Sequence, residues 1–199
     1  RAVRDGDSYV LDGSKTFITS GVRAHRVMTL ARTSDDPHGG LTFFWVDTST
    51  PGFQVSRALK KHGWWASDTA ELFLEGVRVP VQDRVGPEGS GFLALMANFE
   101  TERLMLAVQG YVLAELAFDA AMAWVKERQA FGRPIARFQV TRHKLADMRT
   151  RIEAAKAITY TAAAALQQGP APGAVAMAKN PASDMAREVC WEAVQLLGG

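Results

Sequence analysis

The 199-residue chain has one cysteine, Cys190. No disulfide can form within it, and zinc sites built on several thiolates are excluded. Such sparing use of cysteine points to a reducing compartment. The four histidines, His25, His38, His62 and His143, show no close pairing and no HExxH motif, so no metal site is expected. Neither sign of charge dominates: 23 Lys plus Arg against 21 Asp plus Glu leave +2. That balance offers no electrostatic footprint for nucleic acid or an anionic membrane. No run of about 18 apolar residues is evident, so no bilayer-spanning segment is expected. GxSxG is absent, and the single glycine cluster, Gly86-Pro87-Glu88-Gly89-Ser90-Gly91, lacks GxGxxG order and reads as a turn. The chain opens on Arg1 with no signal-peptide pattern, strands begin at once, and it stops on Gly198-Gly199. It reads as the middle of something longer.

What is present is a globular composition, 47% hydrophobic and 22% charged, with enough length to bury a core. The pattern changes near Gly86. Before it, short aromatic and β-branched runs alternate with turn residues: Tyr9-Val10-Leu11, Lys15 to Thr19, Val27 to Ala31, Leu41 to Val46, Phe53 to Val55 and Thr69 to Leu74. Asp12-Gly13 has the chemistry of a tight hairpin turn. Strand-sized runs at this spacing predict an antiparallel barrel or sandwich. After Gly91, Leu95, Phe99, Leu106, Val112, Leu113 and Leu116 recur at helical offsets. Leu145, Met148, Ile152 and Ala155 mark a second helix, and 174–197 a third, with Gly132-Arg133-Pro134 and 169–173 as breakers. The expected fold is α+β: an antiparallel β-barrel domain over 1–86, then an up-down α-helical bundle over 87–199, truncated at both ends. The alanine run 162–165 suits close helix approach. Pro181 falls inside the third helix, at a cost of about 3 kcal/mol or a kink.

Three clusters carry candidate chemistry. Glu102-Arg103 interrupts a helix that is otherwise apolar nearly all round. It is either an ordinary pair at a helix edge or a desolvated carboxylate, whose raised pKa would make it a better proton acceptor. Glu127-Arg128-Gln129-Ala130-Phe131-Gly132 is either a plain helix stop or a guanidinium and ring set to hold a phosphate and stack on a ring system. Phe17-Ile18-Thr19-Ser20-Gly21 ends a strand with a ring and two hydroxyls, and taken alone reads as an ordinary strand end. Cys190, in an apolar helical stretch, reads as a small buried side chain and not a nucleophile.

In this order and together with Ala31-Arg32, Lys61-His62-Gly63, 67–80, Gly91-Phe92, Phe138-Gln139, 145–148, Ala178-Lys179 and 194–199, these clusters resemble the acyl-CoA dehydrogenase family over essentially the whole chain. The resemblance implies an FAD enzyme that desaturates an acyl-CoA thioester between its α and β carbons, as in fatty-acid β-oxidation. Phe17 and Thr19 would lie beside the flavin, while Arg128, Phe131, Gln139, Gln195 and Gly199 match positions that reach the FAD of a neighbouring subunit. That implies a homo-oligomer, dimer or tetramer. An electron-transfer flavoprotein is the implied acceptor, and a bacterial cytoplasm or mitochondrial matrix the implied location. Most relatives carry the catalytic base beyond the terminal glycine pair. A subset, including the long-chain and isovaleryl enzymes, carries it before the helix arginine, where Glu102 stands here. Trp64-Trp65 departs from the family pattern, in which smaller or basic residues are usual. The family's N-terminal helical domain and last helices are absent from this sequence, so the fragment alone is expected to be catalytically poor. An acyl-CoA oxidase, a flavin-dependent monooxygenase or a non-catalytic subunit on the same scaffold are the competing readings.

Overall fold

The computed structural model describes residues 1–198. It divides the chain into two compact units, Arg1–Met96 and Ala97–Gly199. The strands end near Gly86, but the packing boundary falls inside the following helix. The reason is local: a Cβ at Gly91 would meet Leu30 Cδ1 at 2.6 Å and the Leu41 carbonyl oxygen at 2.8 Å. The start of that helix is therefore pressed against the β unit.

The first unit consists of β1 (Ala2–Asp5), β2 (Ser8–Thr19), β3 (Arg26–Arg32), β4 (Leu41–Asp47), β5 (Phe53–Ala58), β6 (Thr69–Pro80) and β7 (Arg84–Val85). They form two antiparallel sheets, ordered β1-β2-β6-β5 and β3-β4-β7. The expected antiparallel β half is present. Inward residues alternate as a half-buried sheet requires, and Tyr9, Leu11, Phe44, Val46, Leu74, Val77 and Val79 form one core cluster. Tyr9 and Phe44 rings lie 4.9 Å apart, and the Tyr9 hydroxyl donates to Glu88 at 2.6 Å.

Asp12-Gly13 does not make the expected hairpin. β2 runs through it with a register shift between Leu11 and Gly13 against β6. The Asp12 carboxylate accepts the Gly76 amide at 2.6 Å, and Gly76 has φ 62°. Opposite this bulge the buried phase of β6 slips from Leu74 to Val77, so both strands step together and keep their apolar faces inward.

The second unit comprises most of α1 (Gly91–Glu127), a small hairpin of β8 (Gln129–Ala130) and β9 (Arg133–Pro134), α2 (Gln139–Gln167) and α3 (Pro172–Leu197). Ala107, Tyr111, Ala114, Phe118, Ala121 and Val125 give α1 a buried stripe at offsets of three and four. It packs with Leu145, Met148, Ile152 and Ala155 of α2 and Ala178, Ala182, Met185 and Val189 of α3. Close approach uses Gly110, where a Cβ would stand 3.0 Å from the Ala182 carbonyl oxygen. In the alanine run only Ala162 is buried in this core. Pro181 lies within a continuous α3 and removes one helical donor, yet the helix runs on to a left-handed Gly198 cap with φ 109°. Buried Glu100 accepts the Ala171 amide ahead of α3, and Lys156 pairs with Glu115 at 2.9 Å.

One expectation needs correction. α1 is long and apolar enough to cross a membrane by length and composition. Gln109, Gly110 and Glu115 interrupt its apolar run, yet its most apolar stretch keeps a mean hydropathy of 1.4. A bundle's central helix meets the same criterion, because its core stripe and its outward face are both apolar.

Lys15 of β2 donates to the Leu30 carbonyl of β3 at 2.7 Å, linking the two sheets. Burial lowers its ammonium from the ordinary 10.5. The unfolded chain then binds a proton that the folded one has released, and stability from this site rises with pH up to about 10.5 and is lost as pH falls through the lowered value. In denaturant titrations across the alkaline range, Lys15→Met should flatten that rise. An unchanged pH slope would show that Lys15 ionises alike in the folded and unfolded chain.

Candidate functional site

At the far end of β2, the register shifts again between Lys15 and Ile18. The bulge holds Phe17 at φ 61°, followed by Ser20 at φ 59°. Left-handed backbone is costly for side chains with a Cβ and concentrates where function requires it. Here it turns an aromatic ring outward: Phe17 is 75% exposed. Thr19, also exposed, pairs with Thr69 of β6. Asp68 fastens this strand end by accepting the Val22 amide at 2.8 Å and pairing with Arg23 at 3.0 Å, and its own carbonyl accepts the Ser20 amide. The expected pair, Phe17 and Thr19, therefore shares one solvent-facing strand end.

In the helical unit, Phe131 and Gly132 are the two turn residues of the β8–β9 hairpin, with φ 51° and 76°. Positive φ at both positions defines the primed turn that suits a two-residue hairpin. A phenylalanine in the first position is unusual, and its ring is 95% exposed. The Phe131 and Phe138 rings meet edge-on at 6.2 Å, and Arg133 lies over Phe138 at 4.4 Å. Arg128 follows directly on α1, its carbonyl accepting the Ile135 amide. Gln139 is the first residue of α2. The Lys144–Glu192 ion pair sets the last turns of α3 beside the first turns of α2, which brings Gln195 to the same end of the bundle. Arg128, Phe131, Gln139 and Gln195 are all exposed there. Gly199, the remaining expected residue, lies outside the described residues.

Glu102 and Arg103 do not pair with each other. The Arg103 guanidinium turns to the Phe99 ring at 5.6 Å. Glu102 is exposed, and its Oε1 accepts from Asn98 Nδ2 at 2.6 Å across one helical turn. A shallow, open depression of about 340 Å³ on one face of α1 is lined by Asn98, Thr101, Glu102, Met105 and Leu106. Glu102 is its only carboxylate, beside the apolar Met105 and Leu106. Cys190 is half-buried and burial pushes its thiol up, which agrees with an inert side chain. Among the described residues no group of His, Cys, Asp and Glu could hold a metal ion.

Sequence reasoning passed over Asn98 and the strained backbone of Ser20 and Trp64, whose φ is 56°. The Asn98–Glu102 spacing was a readable signal, since residues four apart share a helix face. Left-handed backbone at a non-glycine carries no sequence signal of its own.

Two profiles match: acyl-CoA dehydrogenase, middle domain, over residues 1–77, and acyl-CoA dehydrogenase, C-terminal domain, over residues 89–199. The chain belongs to the acyl-CoA dehydrogenase family. It is 41% identical over 199 residues to cyclohexane-1-carbonyl-CoA dehydrogenase of Geobacter metallireducens, covering 100% of this chain and 52% of that protein. Among solved structures it is similar to a probable acyl-CoA dehydrogenase of Mycobacterium abscessus, with 48% identity, a TM-score of 0.96 and coverage of 100% of this chain and 53% of that one. It also matches a chain in a structure described as electron transferring flavoprotein of Acidaminococcus fermentans, at 40% identity and a TM-score of 0.92, over 100% of this chain and 53% of that one. The chain thus spans about half the length of the relatives it matches.

If Phe131 is held outward for function and not for folding, Phe131→Gly should leave stability unchanged or raise it by up to about 1 kcal/mol by relieving the left-handed backbone. Chemical denaturation of the intact protein measures this. A clear loss of stability would show instead that the ring supports the fold through Phe138.

Proposed function

We propose that the intact protein is an FAD-dependent acyl-CoA dehydrogenase in which Glu102 removes the α proton of the substrate thioester. The observation that carries this reading is the Glu102 carboxylate in a shallow, partly apolar depression on the face of α1, directly ahead of Arg103. FAD, when bound, supplies the acceptor for the hydride that leaves the β carbon.

The residues present fit that group. Phe17 offers an exposed ring and Thr19 a hydroxyl at one strand end, suited to the face and edge of an isoalloxazine. Arg128 offers an exposed guanidinium matched to a pyrophosphate, and Phe131 a ring on a tight turn where Gly132 permits close approach. Gln139 and Gln195 add amide donors and acceptors at the same end of the bundle. We assign Phe17 and Thr19 to the cofactor of the same subunit, and Arg128, Phe131, Gln139, Gln195 and Gly199 to that of a neighbouring subunit, so the active protein is a homo-oligomer.

Glu102 Oε1 is occupied by the Asn98 donor. Oε2 has no protein donor among the described residues and is the atom that takes the proton. Met105 and Leu106 border the approach and keep water from solvating the carboxylate once an acyl chain covers them. An electron-transfer flavoprotein serves as acceptor.

The test is anaerobic mixing of the intact FAD-loaded protein with a panel of saturated acyl-CoAs while the flavin's visible band is followed. Bleaching by one chain-length class is the expected result, and Glu102→Gln should slow it by about 10²–10⁴-fold with flavin still bound. Bound flavin that no acyl-CoA bleaches would overturn the dehydrogenase reading. Phe131→Gly and Arg128→Ala should lower flavin content per subunit, and unchanged content would remove both from the cofactor site.

A further inference from the structure

The segment 57–67 between β5 and β6, Arg57-Ala58-Leu59-Lys60-Lys61-His62-Gly63-Trp64-Trp65-Ala66-Ser67, contains four basic or histidine residues and no carboxylate. It also carries the most conspicuous apolar exposure of the β unit beside Phe17: Trp64 is 73% and Trp65 81% exposed. The exposure is built, not frayed. Trp65 Nε1 donates to the Lys61 carbonyl at 2.8 Å, Lys61 Nζ to the Ser67 carbonyl at 2.5 Å, and the Ser67 amide to the Trp64 carbonyl. Trp64 is held at φ 56°. With its indole N–H satisfied inward, Trp65 presents hydrocarbon to solvent, an arrangement that favours contact with another surface.

The loop adjoins the candidate cofactor strand. Asp68 and Thr69 follow it directly, and these are the residues that clamp the strand end bearing Phe17, Thr19 and Ser20. Three of the four left-handed non-glycine residues, Phe17, Ser20 and Trp64, thus gather in this one region of the β unit. Arg57 is paired with Glu71 at 2.8 Å and Lys61 is engaged with Ser67. Lys60 and His62 have no ion-pair partner among the described residues and stay available to a partner.

We propose that the Trp64-Trp65 loop, with Lys60 and His62, is the docking surface for the acidic protein that accepts electrons from this enzyme. This rests on the dehydrogenase reading above. Two rigid indoles are the anchors that dominate protein interfaces, the unpaired Lys60 ammonium favours an acidic face and steers its approach, and His62 adds a hydrogen-bonding ring beside it. Electron carriers need a site next to the cofactor, and the loop provides one by continuity with the Phe17 strand end. A lipid surface fits less well, because electrostatic anchoring to anionic lipid uses clusters of about four to eight Lys or Arg.

The test uses the intact FAD-loaded protein with two acceptors, a small redox dye and purified electron-transfer flavoprotein. Trp64→Ser, Trp65→Ser and Lys60→Glu should leave kcat with the dye within about two-fold. They should raise the KM for the flavoprotein about ten-fold or more and weaken its direct binding in surface-immobilised assays. Wild-type binding should weaken with salt, and Lys60→Glu should blunt that dependence. Unchanged KM and binding in all three variants, with normal flavin bleaching by acyl-CoA, would overturn the docking surface and leave the dehydrogenase reading intact. Failure of acyl-CoA to bleach the wild-type flavin would instead remove the reading on which the proposal rests. Co-sedimentation of the wild type with phosphatidylserine vesicles, lost in Trp64→Ser, would reassign the loop to a membrane and overturn the protein partner.

Discussion

The helical half depends on how α1 divides its circumference. One stripe, from Ala107 through Val125, has its small and aromatic side chains buried against α2 and α3. Gly110 lets a neighbouring backbone come within contact distance. Because that stripe fixes the rotation of the helix about its axis, it also fixes which residues face outward: Glu102, Met105, Leu106, Leu113 and Leu116. An acid on a free helix would sample every direction. On this one, packing on the opposite face chooses the direction, and Asn98 selects the position of the carboxylate within it. Glu100 adds a second restraint by tying the same part of α1 to the turn before α3.

A different constraint governs the candidate cofactor residues. Phe17 and Phe131 occupy left-handed backbone that a glycine would adopt without strain. Each sits where a regular element is interrupted, Phe17 in a bulge of β2 and Phe131 in a two-residue turn. In both places the chain accepts local strain and gains an outward ring that regular strand or helix geometry would direct elsewhere. Trp64 repeats the arrangement in the loop that leads into β6. Strain of this kind persists only where the surroundings hold it. Here the holding groups are visible: Asp68 at the Phe17 end, the β8–β9 ladder under Phe131, and the Lys61 and Ser67 bonds beneath Trp64.

The division into a β half and a helical half was readable from the change of period near Gly86, because periods of 2 and 3.6 place apolar residues differently. The individual helices were readable from Leu145, Met148, Ile152 and Ala155 and from the breakers between them. Asp12-Gly13 was misread because turn chemistry and bulge chemistry use the same residues. What distinguishes them is the partner strand, where Gly76 waits to be bonded, and that contact is remote in sequence. The packing boundary inside α1 was likewise invisible, since it depends on Gly91 meeting Leu30 and Leu41. Glu102 and Arg128 could be chosen as candidates by residue type and by likeness to a family. The Asn98 bond and the positive φ values at Phe17 and Phe131 required the folded backbone.

The central claim is that the Glu102 carboxylate is the group that moves the α proton. Its most direct test follows that proton alone: exchange of the α hydrogens of an acyl-CoA with D2O, read by NMR on the intact FAD-loaded protein. The wild type should exchange them, and Glu102→Gln should slow the exchange by at least about 10²-fold while thioester binding is retained. Exchange at the wild-type rate in Glu102→Gln would place the base elsewhere in the protein and contradict the account.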